Sequence, residues 1–424
     1  MEKICVIGLG YIGLPTSGFF ASKGFHVHGT DVNESVINTL SRGDIHIEEP
    51  GLVDVIKSAV ETKQLTVSTS PVEADVFIIA VPTPIFENEN ANLDYVRKAT
   101  ENIIPYLNKG NVVIVESTIP PRTIDDVVVP IIQEGGFKPE DNEVYVAHCP
   151  ERVIPGRIMI ELVENNRMVG GYTNEAAVKA AEVYRQVVDG EVFETTAITA
   201  EMSKLMENTF RDVNIALANE LAKISEKLGV NAHEVIKLAN MHPRVNIHQP
   251  GPGVGGHCIA VDPYFIVEKA KGLSPLIQTS RKINKSMPQF VIDQVDKLTH
   301  NIQNPTIAVL GLTYKGNVDD MRESPAVTIV NQLISNGYNV KCHDPHVKND
   351  ATELSLFNLE HALADSDIAL VLSDHNVFKE LSSSIFVSNM KTPVVLDTKN
   401  CIPESEELTL YQIGNLSGLK SIEG

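Results

Sequence analysis

Ile4-Cys5-Val6-Ile7-Gly8-Leu9-Gly10-Tyr11-Ile12-Gly13 is a short apolar run that breaks into Gly-x-Gly-x-x-Gly. Four apolar residues are too few for a buried helix, and glycines follow at once, so the run reads as a buried strand turning into a helix. In such a strand-turn-helix the first glycine makes the tight turn. The second lets a pyrophosphate approach the backbone, and the third lets helix and strand pack closely. The pyrophosphate then meets the free N–H groups at the helix start. His26-Val27-His28-Gly29-Thr30-Asp31 is the next strand, and its Asp31 stands eighteen residues beyond Gly13. That is where a carboxylate bonds a ribose 2′-hydroxyl and repels a 2′-phosphate, so NAD is expected rather than NADP. Gly8, Gly10, Gly13 and Asp31 are the first cofactor candidates.

Outward from this unit, β-branched runs alternate with helical stretches, which predicts a parallel sheet. Val76–Val81 and Val113–Thr118 are further strands. They end in Val81-Pro82-Thr83-Pro84 and Glu116-Ser117-Thr118, at the carboxyl edge where the nicotinamide half belongs. The scheme then recurs. Ile307-Ala308-Val309-Leu310-Gly311 echoes the first strand and Val340-Lys341-Cys342-His343-Asp344 the second, while Ile368–Leu372 and Val394–Asp397 echo the third and fourth. In the copy, Gly311-Leu312-Thr313-Tyr314-Lys315-Gly316 lacks the middle glycine and carries a lysine. A phosphate held by a charged side chain fits that loop better than a second dinucleotide. Between the copies, Thr199 to Leu228 runs without Pro or Gly until Gly229, a helix of about 45 Å at 1.5 Å per residue. Beyond it, Pro243, Pro250, Pro252 and Pro263 predict a rigid, irregular loop. The expected fold is α/β: two Rossmann-like domains with parallel sheets joined by a helical central domain containing one long helix. The expected boundaries are 1–195, 196–297 and 298–424.

Composition narrows the function. With 43% hydrophobic and 21% charged residues, the 424-residue chain has the balance of a globular protein of two or three domains. No apolar run reaches the ~18 residues of a membrane span, and the first residues read as a strand rather than a signal peptide. A net charge of −20 argues against nucleic acid or an anionic membrane as partner. Five cysteines (5, 149, 258, 342 and 401), widely spaced and without a C-x-x-C pair, point to a reducing cytoplasm rather than a disulfide framework. His242, His248 and His257 match no usual ligand spacing, so no metal is expected.

The chemistry concentrates in Gly251-Pro252-Gly253-Val254-Gly255-Gly256-His257-Cys258-Ile259-Ala260-Val261-Asp262-Pro263. Glycines before a thiol let the backbone approach a ligand, and Asp262 is an acid four residues beyond it. A nucleophilic thiol beside a hydride acceptor suggests oxidation through a covalent sulfur intermediate, ending at an acid. On the long helix, Lys204, Asn208 and Arg211 fall at i, i+4 and i+7, on one face. A lysine there can stabilise an alkoxide or relay its proton, and an Asn can orient a hydroxyl. In Pro150-Glu151-Arg152-Val153, Glu151 suits water activation and Arg152 suits an anionic product; the plainer alternative is a surface ion pair. His242-Pro243-Arg244, Lys315, Arg322 and Lys399 are candidate cations for a diphosphate, or ordinary surface charge.

With these residues in place the chain resembles the UDP-glucose/GDP-mannose dehydrogenase family, nearly end to end. The likeness rests on Gly8-x-Gly10-x-x-Gly13, Val81–Pro84, Glu116–Thr118, Cys149–Gly156, Glu201–Glu220 with its Phe210-Arg211-Asp212-Val213-Asn214, His242–Pro263 and Gly311–Pro325. It implies two successive NAD-dependent oxidations at C6 of a nucleotide sugar. Cys258 would hold a thiohemiacetal and then a thioester. Lys204 would be the acid/base group, Asn208 and Asp262 its support, and Glu151 the aid to hydrolysis. The resemblance places Tyr11, Ile12, Asp31, Thr83, Thr118 and Arg322 at NAD, and counts Thr118 among the catalytic residues as well. At the nucleotide sugar it places Arg152, Val153, Lys204, Asn208, Arg211, His242, Arg244, Gly255, Tyr314, Lys315 and Lys399. It further implies a homodimer built on the long helix, with Arg244 entering the neighbouring subunit's site. The likeness is strongest to members that act on UDP-N-acetyl-D-mannosamine, ahead of UDP-N-acetylglucosamine and UDP-glucose. Lys399 stands where many members carry Arg, which exchanges a bidentate fork for a point charge. A hydroxyacid dehydrogenase making one hydride transfer has no use for Cys258 or a second Rossmann-like domain. An NAD-sensing binding protein has no use for Lys204, Cys258 and Asp262 together.

Overall fold

The computed structural model describes residues 3–419, which fold as two compact units. The first is Met1–Glu207 with Tyr264–Lys271, and the second is Asn208–Pro263 with Gly272–Gly424.

In the first unit eight strands form one sheet: β1 (Lys3–Ile7), β2 (His26–Thr30), β3 (Leu65–Ser68), β4 (Val76–Ile79), β5 (Val112–Val115), β6 (Tyr145–His148), β7 (Arg167–Gly171) and β8 (Val192–Thr196), in spatial order 3-2-1-4-5-6-7-8. Alternating residues feed two cores. Ile4, Val6, Ile78 and Ile114 enter one face, while Cys5, Ile7, Phe77, Ile79, Val113 and Val115 enter the other. Burial on both faces is why these strands read as continuous apolar runs rather than alternating ones. The expectation of a parallel sheet needs one correction. β6 pairs with β7 antiparallel, so β7 and β8 run against the other six. Arg167-Met168-Val169-Gly170-Gly171 carries a buried Arg and two glycines, which hid it as a strand.

In the second unit β9 (Thr306–Leu310), β10 (Asn339–His343), β11 (Ile368–Val371), β12 (Val394–Asp397) and β13 (Thr409–Gln412) form a parallel sheet in order 10-9-11-12-13. This matches the 2-1-4-5-6 core of the first sheet strand for strand. The likeness extends to single bonds. Gly8 N–H donates to Thr30 O at 2.8 Å and Leu9 N–H to Asp31 at 3.0 Å; Gly311 N–H donates to His343 O at 2.8 Å and Leu312 N–H to Asp344 at 2.7 Å. Gly8 and Gly311 share φ +93°, a left-handed conformation that favours glycine.

The long helix runs Ala197–Leu228, starting two residues earlier than its sequence signal, and contains no Pro or Gly. No helix interrupts 241–261, so the proline-marked loop is irregular as expected. Among the described residues no helix is long and apolar enough to cross a membrane.

Candidate active site

The glycine turn of the first unit is shaped by close approach. A Cβ on Gly13 would fall 1.9 Å from Gly8 O, and one on Gly8 would fall 2.5 Å from Ala80 O. At Gly10 a Cβ would meet nothing within 4 Å, so the backbone there is open to a ligand. Tyr11 is exposed and Ile12 half-buried beside it. Asp31 follows β2 directly, and its two oxygens accept from Leu9 N–H at 3.0 Å and Asn33 N–H at 2.9 Å. A turn open only at its middle glycine, before a helix and beside a fixed carboxylate, fits the diphosphate and ribose of a dinucleotide.

At the ends of β4 and β5 two further cofactor candidates, Thr83 and Thr118, are tied together. Val81 N–H donates to Ser117 Oγ at 2.9 Å, Ser117 Oγ donates to Val81 O at 2.7 Å, and Thr83 Oγ1 donates to Thr118 O at 2.7 Å. Thr118 stands two residues beyond Glu116, a fully buried carboxyl that accepts from Thr16 Oγ1 at 3.1 Å and Tyr184 OH at 2.7 Å. Burial, and then the nearby negative charge of Glu151, push Glu116 up to about 7.

Glu151 follows β6 and is not at the surface. One oxygen accepts from Arg152 N–H at 2.7 Å, and the other lies 3.1 Å from the buried guanidinium of Arg167. The Arg167 guanidinium stacks on Tyr184, 4.8 Å from its ring centre. Arg152 turns the other way, to Glu207 at 2.7 Å and Asn166 O at 3.2 Å. Val153 packs, half-buried, against the first core. Lys204, on the long helix, is half-buried.

The second unit gathers the thiol loop. Asn208 Nδ2 donates to the buried Asp262 at 2.6 Å, and Asp262 N–H donates to Cys258 O at 2.9 Å. The long helix itself pins the loop. Asn214 donates to Asn246 O at 2.9 Å and accepts from His248 N–H at 2.9 Å, while Asn219 accepts from Gly251 N–H at 2.9 Å. Within the Phe210–Asn214 motif, Asn214 thus holds the loop, while buried Asp212 meets Arg281 at 2.5 Å. Glycines let the loop touch the second strand-turn. A Cβ on Gly255 would fall 2.5 Å from Glu323 O and 2.8 Å from Tyr314 Cβ; one on Gly256 would fall 2.8 Å from the Tyr314 ring. Gly256 N–H donates to Arg322 O at 3.1 Å. The Arg322 guanidinium reaches Asp320 at 2.9 and 2.7 Å, and His257 Nδ1 lies 3.9 Å from the same carboxylate. Burial would raise Asp320, but the Arg322 hydrogen bonds outweigh it and hold the carboxyl below its usual range. Burial and then Arg322 lower His257, keeping the imidazole neutral next to the thiol.

Cys258 is exposed. Burial pushes the Cys5 thiol up to about 11 and Cys149 and Cys342 up to about 12, and burial with the Asp397 charge raises Cys401 further. Of the five thiols Cys258 is the most exposed; Cys401 is half-buried and the other three are buried.

Lys315 is exposed in the turn after β9, and Lys399 lies just beyond β12, 3.6 Å from Asp374. Asp374 also accepts Gly316 N–H at 3.1 Å, so both lysines border one carboxyl edge. In this copy Asp344 is closed off, because buried His375 Nε2 sits 3.1 Å from it and Thr313 fills the middle-glycine position. The turn thus has the frame of a dinucleotide site without its opening. His242 and Arg244 form an exposed turn in which Arg244 N–H donates to His242 Nδ1 at 3.3 Å, and Arg211 is exposed on the long helix. Among the described residues no cluster of three or more His, Cys, Asp or Glu could hold a metal.

Sequence profiles of the UDP-glucose/GDP-mannose dehydrogenase family match along the chain: its NAD binding domain over residues 2–188, its central domain over 198–286 and its UDP binding domain over 308–404. A UDP-N-acetyl-D-mannosamine dehydrogenase of Methanococcus maripaludis is 48% identical over 413 residues, 95% of this chain and 93% of that one. One from Methanocaldococcus jannaschii is 47% identical over 424 residues, 98% of this chain and 97% of that one. The solved structure of UDP-N-acetyl-mannosamine dehydrogenase from Staphylococcus aureus is 51% identical, with a TM-score of 0.90 over 98% of this chain and 99% of that one. Three matching domains in order, relatives close to half identical across the whole length and the same fold establish that this chain belongs to the UDP-glucose/GDP-mannose dehydrogenase family.

Proposed function

We propose that the protein oxidises C6 of UDP-N-acetyl-D-mannosamine to the carboxylate in two NAD-dependent steps, through a thioester on Cys258. The observation that carries this reading is the exposed thiol of Cys258, followed by the Asp262–Asn208 pair, in a chain whose other thiols are held up by burial. Bound NAD supplies the hydride acceptor for both oxidations. Gly8, Gly10, Tyr11, Ile12, Gly13, Asp31, Thr83, Thr118 and Arg322 would hold it. Lys204 takes up alkoxide charge as the C6 hydroxyl loses its proton, and Asn208, fixed by Asp262, orients that oxygen. The Cys258 sulfur adds to the aldehyde carbon, giving a thiohemiacetal whose oxidation leaves a thioester. Glu151 then assists attack by water; the C–S bond breaks, and the acid and the thiol are released.

Arg152, Val153, Arg211, His242, Arg244, Gly255, Tyr314, Lys315 and Lys399 would bind the nucleotide sugar. The division 1–195, 196–297 and 298–424 belongs to the same reading and is supported by the matched spans 2–188, 198–286 and 308–404. A homodimer seam is supported by an exposed apolar stripe on the long helix: Ile198, Met202, Met206, Phe210, Leu217, Ile224 and Leu228, spaced by fours and sevens. A reducing cytoplasm supplies NAD and keeps Cys258 a thiol.

The test is NADH counted against a panel of UDP-sugars. UDP-N-acetylmannosamine should give two NADH per sugar, ahead of UDP-N-acetylglucosamine, with UDP-glucose poorest, because a site built to bond the amide leaves polar groups unpaired against a hydroxyl. In Cys258→Ala the yield should fall to at most one NADH per site, with no acid. Steady acid production by that variant would sink the covalent route.

A further inference from the structure

Glu201 lies on the long helix three residues before Lys204 and is fully buried. Both of its oxygens are spent on backbone from a distant loop: Oε2 accepts Arg122 N–H at 2.5 Å and Oε1 accepts Ile124 N–H at 2.9 Å. That loop leaves β5 through Ser117 and Thr118. Its front end is held by the Val81–Ser117 and Thr83–Thr118 bonds, and Thr123 Oγ1 closes its far turn onto Pro120 O at 2.6 Å. Arg122 sits at φ +70°, a left-handed conformation that strains a non-glycine residue. A buried carboxylate is an expensive way to satisfy two N–H groups, since a local Ser or Asn cap would serve without desolvating a charge. The charged groups facing it are Asp125 and Asp126, which oppose its ionisation, and Arg122, whose guanidinium is drawn to Asp126 at 2.8 Å. Burial with these acids pushes Glu201 up to about 7.

We propose that Glu201 is a positioning residue that locks the Thr118 loop to the turn of the long helix carrying Lys204, so that the cofactor loop and the acid/base group keep one register. This rests on the functional reading above. Glu201 touches no reacting atom; it acts through Thr118 and Lys204.

Glu201→Gln keeps the shape but presents an amide N–H to a backbone N–H, so one of the two bonds is lost and the loop is released. The expected result is a kcat at least 10-fold below wild type, with KM for the UDP-sugar within 2-fold and faster hydrogen exchange at Arg122 and Ile124. Arg122→Gly relieves the left-handed strain while retaining the N–H. Alone it should leave kcat within 2-fold, and combined with Glu201→Gln it should recover several-fold of the lost kcat. A folded Glu201→Gln enzyme with kcat near wild type overturns the proposal, as does a double variant no better than the single. If Glu201→Gln does not fold, Glu201→Asp, which keeps the charge but not the reach, should show the same kcat loss; wild-type kcat there overturns it too. Wild type is the control: a wild-type chain that makes no NADH from any UDP-sugar sinks the functional reading and this proposal together, whereas normal wild-type turnover with unaffected variants sinks this proposal alone.

Discussion

Glu151 and Arg167 meet carboxylate to guanidinium at 3.1 Å, with each side chain less than a tenth exposed. Burial removes the water that would otherwise solvate either charge, so each depends on the other. Taking away one member of such a pair costs about 3–5 kcal/mol, whereas replacing both with apolar groups costs far less. Arg167→Met should therefore lower the urea midpoint clearly, and adding Glu151→Leu should recover much of it. An unchanged midpoint in Arg167→Met would show that Glu151 is not held by this contact.

Glu116 gives stability a pH slope of known sign. Its carboxyl is raised from 4.5 to about 7, by burial first and Glu151 second, so between those values the native state holds a proton that the unfolded chain has released. Its contribution is full below 4.5 and is lost as pH rises through about 7. Glu116→Gln cannot ionise and lacks that loss. The urea midpoint of the variant minus that of wild type should be larger at pH 8 than at pH 5. His148, lowered to about 4 by burial, slopes the opposite way but is common to both proteins and cancels. A gap that does not grow with pH would remove Glu116 as the source.

Cofactor choice should follow Asp31. Its carboxylate is fixed by Leu9 and Asn33 N–H groups, and the next residues, Val32-Asn33-Glu34, bring no cation to receive a 2′-phosphate. kcat/KM for NAD should exceed that for NADP by at least ~30-fold, the ratio equivalent to about 2 kcal/mol. Equal values would mean the ribose lies elsewhere.

If Arg244 serves the neighbouring subunit, Cys258→Ala and Arg244→Ala chains, each inactive alone, should complement on mixing. One site of the hybrid carries both defects and the other neither. Activity recovered in a verified hybrid dimer would assign Arg244 to the partner's site; its absence would assign it elsewhere.

Much of this was legible in the sequence because the signals are local. Gly8 to Gly13 fixes a turn within six residues, and the apolar runs of β1, β4, β5, β9, β11 and β12 announce strands buried on both faces. β7 was missed because Arg167 and two glycines break its apolar character, and β13 because Thr409-Leu410-Tyr411-Gln412 is half polar. The residues that position the site were hidden for a different reason. Glu201 meets Arg122 from 79 residues away, Tyr184 meets Glu116 from 68 and Arg281 meets Asp212 from 69; no spacing rule reaches across such loops. Asp320 was closer to view, two residues before Arg322, yet only the folded turn brings it within 3.9 Å of His257.

With three thiols buried and Cys401 half-buried, the exposed Cys258 gives the folded protein a preferred chemical address. A mild electrophile added to the native chain should modify Cys258 first, so the moles of reagent consumed count working sites directly. On the proposed covalent route, the same asymmetry would make turnover vulnerable to a peroxide dose that leaves the fold untouched, since sulfenic acid at Cys258 would remove the nucleophile. Mass spectrometry of the lightly labelled native protein would read that address, and denaturant would reveal the other four.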